Sequence, residues 1–274
     1  MTEQDGQIEA GNGNTIGGWL EDLQVCLMFL TRLPVPEQQG GQHRQLSQAA
    51  RGFPVAGALI GAIGGLALLA AQGAGLPATI AASIGVLTIV LVTGGLHEDG
   101  LADVADGFGA GGTKERKLEI MRDSRIGTYG VLALVFSVLI KVACVASLIG
   151  AALSVWHTPM LLMATGALSR TFIVLALRSL PPARNEGRAI EAGVPSSRSV
   201  NQTVVAGLAI GSTIMWLVCG PWMVIATLLA GAATYYVAKR RALHHIGGQS
   251  GDVLGAIQQL TESAMLIALI ATYC

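Results

Sequence analysis

Seven apolar stretches, at 53–73, 76–96, 129–151, 159–180, 203–219, 221–238 and 253–272, leave this chain few folds to choose from. About 20 apolar residues are needed for a helix to cross the hydrocarbon core of a bilayer. Lipid offers the backbone no hydrogen-bond partner, so segments of this length satisfy their own N–H and C=O groups as helices. The sequence therefore predicts an all-α polytopic membrane bundle of about seven transmembrane helices. Residues 20–33 are apolar but short and carry Glu21, Asp22 and Arg32. An interfacial or re-entrant helix suits them better than a span. Residues 1–18 are polar, without the basic start and early apolar core of a signal peptide. The expectation is a flexible tail, 1–18, followed by one membrane-embedded domain, 19–274.

The charges support this layout. Asp, Glu, Lys and Arg make up 12% of the chain, against about 25% in an ordinary soluble domain. Their balance is zero, which gives no argument for nucleic-acid binding. With the N-terminus inside, the loops at 97–128, 181–202 and 239–252 share one side and hold Lys114, Arg116, Lys117, Arg122, Arg125, Arg184, Arg188, Arg198, Lys239, Arg240 and Arg241. The opposite loops, near 74–75, 152–158 and 220, hold no Lys or Arg. The positive-inside rule predicts N-in, C-out. Every acid falls on the basic side except Glu262, which lies in the last span, as Lys141 and Arg170 lie in theirs. Intramembrane ionisable groups are usually functional or paired. Glycine ladders at Gly57–Gly61–Gly65 and Gly207–Gly211 predict close helix packing. The cysteines are scattered and form no C-x-x-C pair, so they read as small apolar residues.

Chemistry concentrates after the second span, in Gly94-Gly95-Leu96-His97-Glu98-Asp99-Gly100-Leu101-Ala102-Asp103-Val104-Ala105-Asp106-Gly107. On a helix Asp99, Asp103 and Asp106 fall at i, i+4 and i+7 and share one stripe. Like charges so placed repel, and a cation relieves the repulsion. Carboxylate oxygens suit Mg²⁺, which is commonly held by a few carboxylates together with substrate phosphates. A solvated acidic helix end is the plainer alternative. Glu98 lies about 100° off the stripe. His97 is a general base or a hydrogen-bonding partner of the loop. Further on, Arg122-Asp123-Ser124-Arg125 precedes Ile126-Gly127-Thr128-Tyr129-Gly130. Arginine grips phosphate bidentately, though basic residues here also set topology. His244-His245-Ile246-Gly247-Gly248-Gln249-Ser250-Gly251-Asp252 is a glycine-rich turn into a helix. Such a turn offers N–H groups to anions, and Asp252 in it is equally an ordinary N-cap.

These segments resemble the signature of the cobalamin synthase (adenosylcobinamide-GDP ribazoletransferase) family: GGLHEDGLADVADG, then IMRDSRIGTYG, supported by FLTRLPVP at 29–36, Arg51-Gly52-Phe53-Pro54-Val55 and GGQSGDVLGA at 247–256. The likeness runs from about residue 20 to the C-terminus. It departs from the pattern at Gln249-Ser250, while Asp252 is retained. The resemblance implies a Mg²⁺-dependent transferase of the bacterial cytoplasmic (inner) membrane with its site on the cytoplasmic face. It implies that the 5′-hydroxyl of α-ribazole, or of its 5′-phosphate, displaces GMP from adenosylcobinamide-GDP, the last step of vitamin B12 assembly. On that reading Asp99, Asp103 and Asp106 hold metal, and His97, Asp106 and Asp123 are catalytic. Arg122, Ser124, Arg125, Arg51 and Asp252 bind substrate. The partners are the two substrates and the lipid bilayer, with no nucleic acid, and there is room for a homo-oligomer or an association with other late enzymes of that route.

Two alternatives stand beside it. Asp103-Val104-Ala105-Asp106-Gly107 echoes the opening of the CDP-alcohol phosphotransferase motif, but Phe108-Gly109-Ala110-Gly111 follows where that family has Ala-Arg. A transporter would use Lys141, Arg170 and Glu262 at mid-depth between repeats, and no repeat is visible.

Overall fold

The structure, a computed structural model, describes residues 16–36, 44–152, 154–184, 187 and 191–273. The expected N-terminal tail lies outside them except for its last three residues, which open a helix. The described residues are all-helical: α1 (Ile16–Leu30), a 3-10 turn (Ala50–Gly52), α2 (Phe53–Gly73), α3 (Ala78–Thr93), α4 (Leu96–Gly109), α5 (Lys114–Ile120), α6 (Thr128–Ala151), α7 (His157–Ser179), α8 (Ser197–Cys219), α9 (Pro221–Ile246) and α10 (Gly251–Tyr273).

Six of these are long and apolar enough to cross a membrane: α2 with its 3-10 turn, α6, α7, α8, α9 and α10. The seventh expected span, 76–96, is cut short. Its helix α3 qualifies only together with α4, and the pair is bent by 89°. Gly94 and Gly95, at φ of +65° and +70°, make the bend. That left-handed region costs glycine little and other residues more. The N–H groups of Gly94 and Gly95 close α3 on the carbonyls of Leu91 and Val90, and Asp99 N–H returns to the Gly95 carbonyl to start α4. α1, with 15 residues, is shorter than a span, as its sequence predicts.

α7 is the centre of the bundle, with 78% of its apolar window buried, whereas α9 is peripheral with 11%. The glycine ladders explain the centre. A Cβ on Gly57 would collide with the Gly166 carbonyl, on Gly61 with the Leu162 carbonyl and on Gly65 with Pro159. α2 and α7 therefore meet backbone to backbone, the close approach that small residues permit. Gly207 and Gly211 make room in α8 for the side chains of Thr171 and Leu168 of α7. Cys26 and Cys144 are buried, and Cys26 donates to the Ala49 carbonyl.

Arg51 is buried at the base of α2. Its Nε donates to Asp22 of α1, and its guanidinium lies 4.4 Å from the centre of the Trp19 ring. Arg44 adds a second cation on Asp22, at 2.8 Å. The substrate-binding role expected of Arg51 thus meets a guanidinium engaged in pinning α1 to the 3-10 turn.

Candidate active site

The stripe predicted for Asp99, Asp103 and Asp106 falls on one regular helix, α4, and its three acids meet different surroundings. Asp99 is exposed, Asp103 half-buried and Asp106 buried. α4 crosses the start of α10 at glycines. A Cβ on Gly100 would run into the Asp252 backbone, and one on Gly255 into the backbone of His97. This crossing brings Asp252, distant in sequence, beside the stripe. Asp103 is repelled by Asp252 first, then by Asp99 and Asp106, and is attracted by Arg184.

Asp252 reaches this position because another residue caps the helix. The Ser250 hydroxyl accepts from Val253 N–H at 3.4 Å and donates to Asp252 Oδ2 at 3.2 Å. Gln249 pairs with the 181–183 strand-like segment: Gln249 N–H donates to the Pro181 carbonyl and Ala183 N–H to the Gln249 carbonyl, both at 2.8 Å. Gly248 allows the contact, since a Cβ there would strike the Pro181 carbonyl. This clamp sets Arg184 3.9 Å from Asp252 Oδ2, while the same guanidinium donates to the Leu118 carbonyl at 2.9 Å. In the sequence Arg184 reads as one basic loop residue among several. The missing signal is the pairing of two loops separated by two long helices.

Asp106 has a more local role. Its Oδ2 accepts from Gly127 N–H at 2.7 Å and its Oδ1 from Gly130 N–H at 2.9 Å. A side chain on either glycine would meet that carboxylate. The Gly127-Thr128-Tyr129-Gly130 stretch is therefore shaped to deliver the first N–H groups of α6 to Asp106, where a negative charge is favoured. Through it α4 holds the end of the loop that carries Arg122, Asp123, Ser124 and Arg125. All four are exposed. Arg125 Nη2 lies 2.8 Å from Asp123 Oδ2. Hydrogen bonds from the Arg125 side chain and backbone pull the Asp123 carboxyl down to about 2. In this arrangement the Asp123 carboxylate orients Arg125.

His97 is 2% exposed, and among the described residues neither ring nitrogen has a hydrogen-bond partner. It lines a slot whose rim carries Asp99 and Asp252 and whose walls include Phe29, Phe53, Ile173 and Leu177. His245 stacks on Phe108 of α4, with ring centres 4.4 Å apart.

Deeper in the bundle lies a second charged group. Glu262 accepts from Lys141 at 2.6 Å and from Arg170 at 2.9 Å. The sequence allows Glu262 one partner or the other, and the fold gives it both. Lys141 also donates to Gln259 at 2.7 Å, and Gln259 donates to Glu98 at 2.8 Å. Glu98 therefore faces inward, away from the stripe, as its helical phase requires.

Among the described residues no three His, Cys, Asp or Glu side chains gather into a ready-made metal cluster. The carboxylates of Asp99, Asp103 and Asp252 nevertheless suit Mg²⁺. They are hard oxygen donors that repel one another, the type of donor that would hold that ion.

Known proteins resemble this chain along most of its length. The model of the cobalamin-5-phosphate synthase family matches residues 22–270. A relative from Azorhizobium caulinodans is 41% identical over 92% of this chain and 96% of its own length. Another, from Bradyrhizobium diazoefficiens, is 38% identical over 94% of this chain and 96% of its own. A third, from a Sinorhizobium species, is 42% identical over 94% and 98%. All three carry the name adenosylcobinamide-GDP ribazoletransferase. No solved structure matches the chain. With the match running from α1 almost to the end of α10, the chain belongs to the cobalamin-5-phosphate synthase family.

Proposed function

We propose that the protein transfers the adenosylcobinamide-phosphate part of adenosylcobinamide-GDP to α-ribazole or its 5′-phosphate, releasing GMP and forming adenosylcobalamin or its 5′-phosphate. The observation that carries this reading is the crossing of α4 and α10, which sets Asp252 beside Asp99 and Asp103 at the end of the bundle where the basic loops collect. An acceptor already phosphorylated at its 5′ position attacks through a ring hydroxyl. That oxygen forms a bond to the cobinamide-side phosphorus, the bond to the GMP oxygen breaks, and the hydroxyl proton leaves.

Mg²⁺ bound by Asp99, Asp103 and Asp252 would supply charge neutralisation to the pyrophosphate oxygens. The residues of the chain divide the remaining work. Arg184 and the Asp123-oriented Arg125 bind phosphate oxygens, for which a planar guanidinium is suited. Arg122 and Ser124 add donors from the same loop. Asp106 fixes the start of that loop's helix instead of joining the metal set. The acceptor's proton passes to solvent at the open mouth of the site, where Asp99 is exposed. The site faces the cytoplasm, with N-in, C-out topology, because the basic loops share its end.

The test is purified protein in detergent with adenosylcobinamide-GDP, α-ribazole and Mg²⁺, assayed for GMP. GMP release that needs α-ribazole and stops with a chelator is expected. Release of CMP from a CDP-alcohol with a lipid acceptor, and none of GMP, overturns the reading in favour of lipid headgroup synthesis. For topology, a cysteine placed at Lys114 or Lys239 should resist an impermeant label in intact cells, and one at His157 should react.

A further inference from the structure

The slot beside the aspartates is built for something flat and mostly apolar. Phe29 of α1 and Phe53 of α2 stand with ring centres 6.4 Å apart and planes tilted by 48°. Ile173 and Leu177 of α7 complete the apolar wall. At the turn from α3 into α4 the slot meets His97, nine-tenths buried and more, with two unpartnered ring nitrogens among the described residues. Buried polar atoms in native proteins normally have partners, and an orphan is a place where a ligand group completes the hydrogen bonding. Asp99 and Asp252 mark the slot's rim.

We propose that this slot binds the aromatic base of the acceptor nucleoside, a benzimidazole, with His97 donating a hydrogen bond to the base's ring nitrogen and the ribose turned toward Asp99 and Asp252. The assignment rests on the transfer reading above. Three parts of the substrates compete for the space, and chemistry separates them. Guanine carries donors and acceptors along two edges, and an apolar wall with one imidazole leaves most of them unpaired, which is costly. The corrin macrocycle is far wider than a slot walled by Phe29, Phe53, Ile173 and Leu177. Dimethylbenzimidazole is planar, apolar along its methylated edge and has one free ring nitrogen, which is the complement of this wall. Seating the base inside would also hold the ribose hydroxyls at the carboxylate rim, where an acceptor must wait.

The test is a chemical double-mutant cycle on the full-length protein in detergent. The acceptor is either the α-riboside of 5,6-dimethylbenzimidazole or that of 5,6-dimethylindole, which replaces the ring nitrogen by carbon. In the unaltered protein the indole riboside should show a KM about tenfold higher, the size of one buried hydrogen bond. In His97→Phe the two acceptors should become equal, with the KM for adenosylcobinamide-GDP unchanged. A general loss of structure would not erase discrimination between two acceptors. Equal discrimination in both proteins, or an effect that falls on the adenosylcobinamide-GDP KM, overturns the assignment. So does an unaltered protein that treats the two ribosides alike, which needs no variant to fold. Equilibrium dialysis of α-ribazole reads the slot without turnover: displacement by GDP overturns it, and weaker binding to His97→Phe supports it. Absence of GMP release with every acceptor defeats the transfer reading instead, and the dialysis result still stands by itself.

Discussion

Glu262 and Asp103 are both carboxylates crowded by other charges, and the fold treats them in opposite ways. Glu262, about 16 Å along α10 from Gly251 at 1.5 Å per residue, is closed in by Lys141 and Arg170. Asp103, at the mouth, faces three other acids and the cation of Arg184. The inner carboxylate has both of its oxygens taken by cations of the fold, so it can be buried without a ligand. The outer group carries unbalanced negative charge, which a structure tolerates when something positive arrives later. Negative charge in this membrane protein is thus fully paired where it ties helices together in the bundle and left in excess at the mouth.

That contrast is broken most severely at Glu262. Glu262→Gln leaves two buried cations without an anion, and should cost about 3–5 kcal/mol of stability, read as a large fall in the thermal midpoint in detergent. A variant that keeps its midpoint would show the inner group to be hydrated and not a structural pair. At the mouth the expected pattern reverses. Asp103→Asn and Asp252→Asn relieve repulsion, so the midpoint should hold or rise. Turnover should fall by about 10²–10³, the scale of a lost group that stabilises transition-state charge. Unfolding of Asp103→Asn would place it with Glu262 and end the comparison.

Asp106 should fall between the two. Asp106→Ala strands the N–H groups of Gly127 and Gly130, at about 1–3 kcal/mol, and should lower both midpoint and turnover moderately. Calorimetry and GMP release on one sample would show whether the losses move together. A turnover loss as large as that of Asp103→Asn with no change in midpoint would return Asp106 to the metal set. Arg125→Lys keeps charge but loses the two-pronged grip, and should slow turnover by less than about tenfold. Full activity in both Arg125→Lys and Arg125→Ala would remove Arg125 from the site. Glu98→Gln should matter least. Its amide oxygen can still accept from Gln259, so the effect should stay within about 0.5 kcal/mol. If it were the most damaging change among the α4 acids, the helical phase assigned to Asp99 and Asp103 would be wrong.

Much of the site is legible in α4 because helical spacing is a local rule. Asp99, Asp103 and Asp106 share a stripe and Glu98 leaves it, whatever surrounds the helix. Spacing cannot tell which of three aligned acids meets solvent, another acid or a backbone. Asp106 illustrates this, since its neighbours come from the start of α6. Arg51 illustrates the converse: the resemblance suggested substrate binding, and the fold engages it with Asp22 and Trp19.

By itself the sequence determined that this chain lives in a membrane as helices, because apolar length and backbone hydrogen bonding depend on nothing outside each segment. It also determined the acid stripe along α4 and the glycine ladders along which α2 and α8 press against α7. Tertiary structure alone decided that α3 ends early and turns through 89° at Gly94-Gly95, that Gly100 lets Asp252 join Asp99 and Asp103, that a two-loop clamp brings in Arg184, and that Glu262 holds two cations. Each of these depends on contacts between residues far apart in the chain. Their geometry is set by how closely helices can approach, which the spacing of residues along any one helix does not encode.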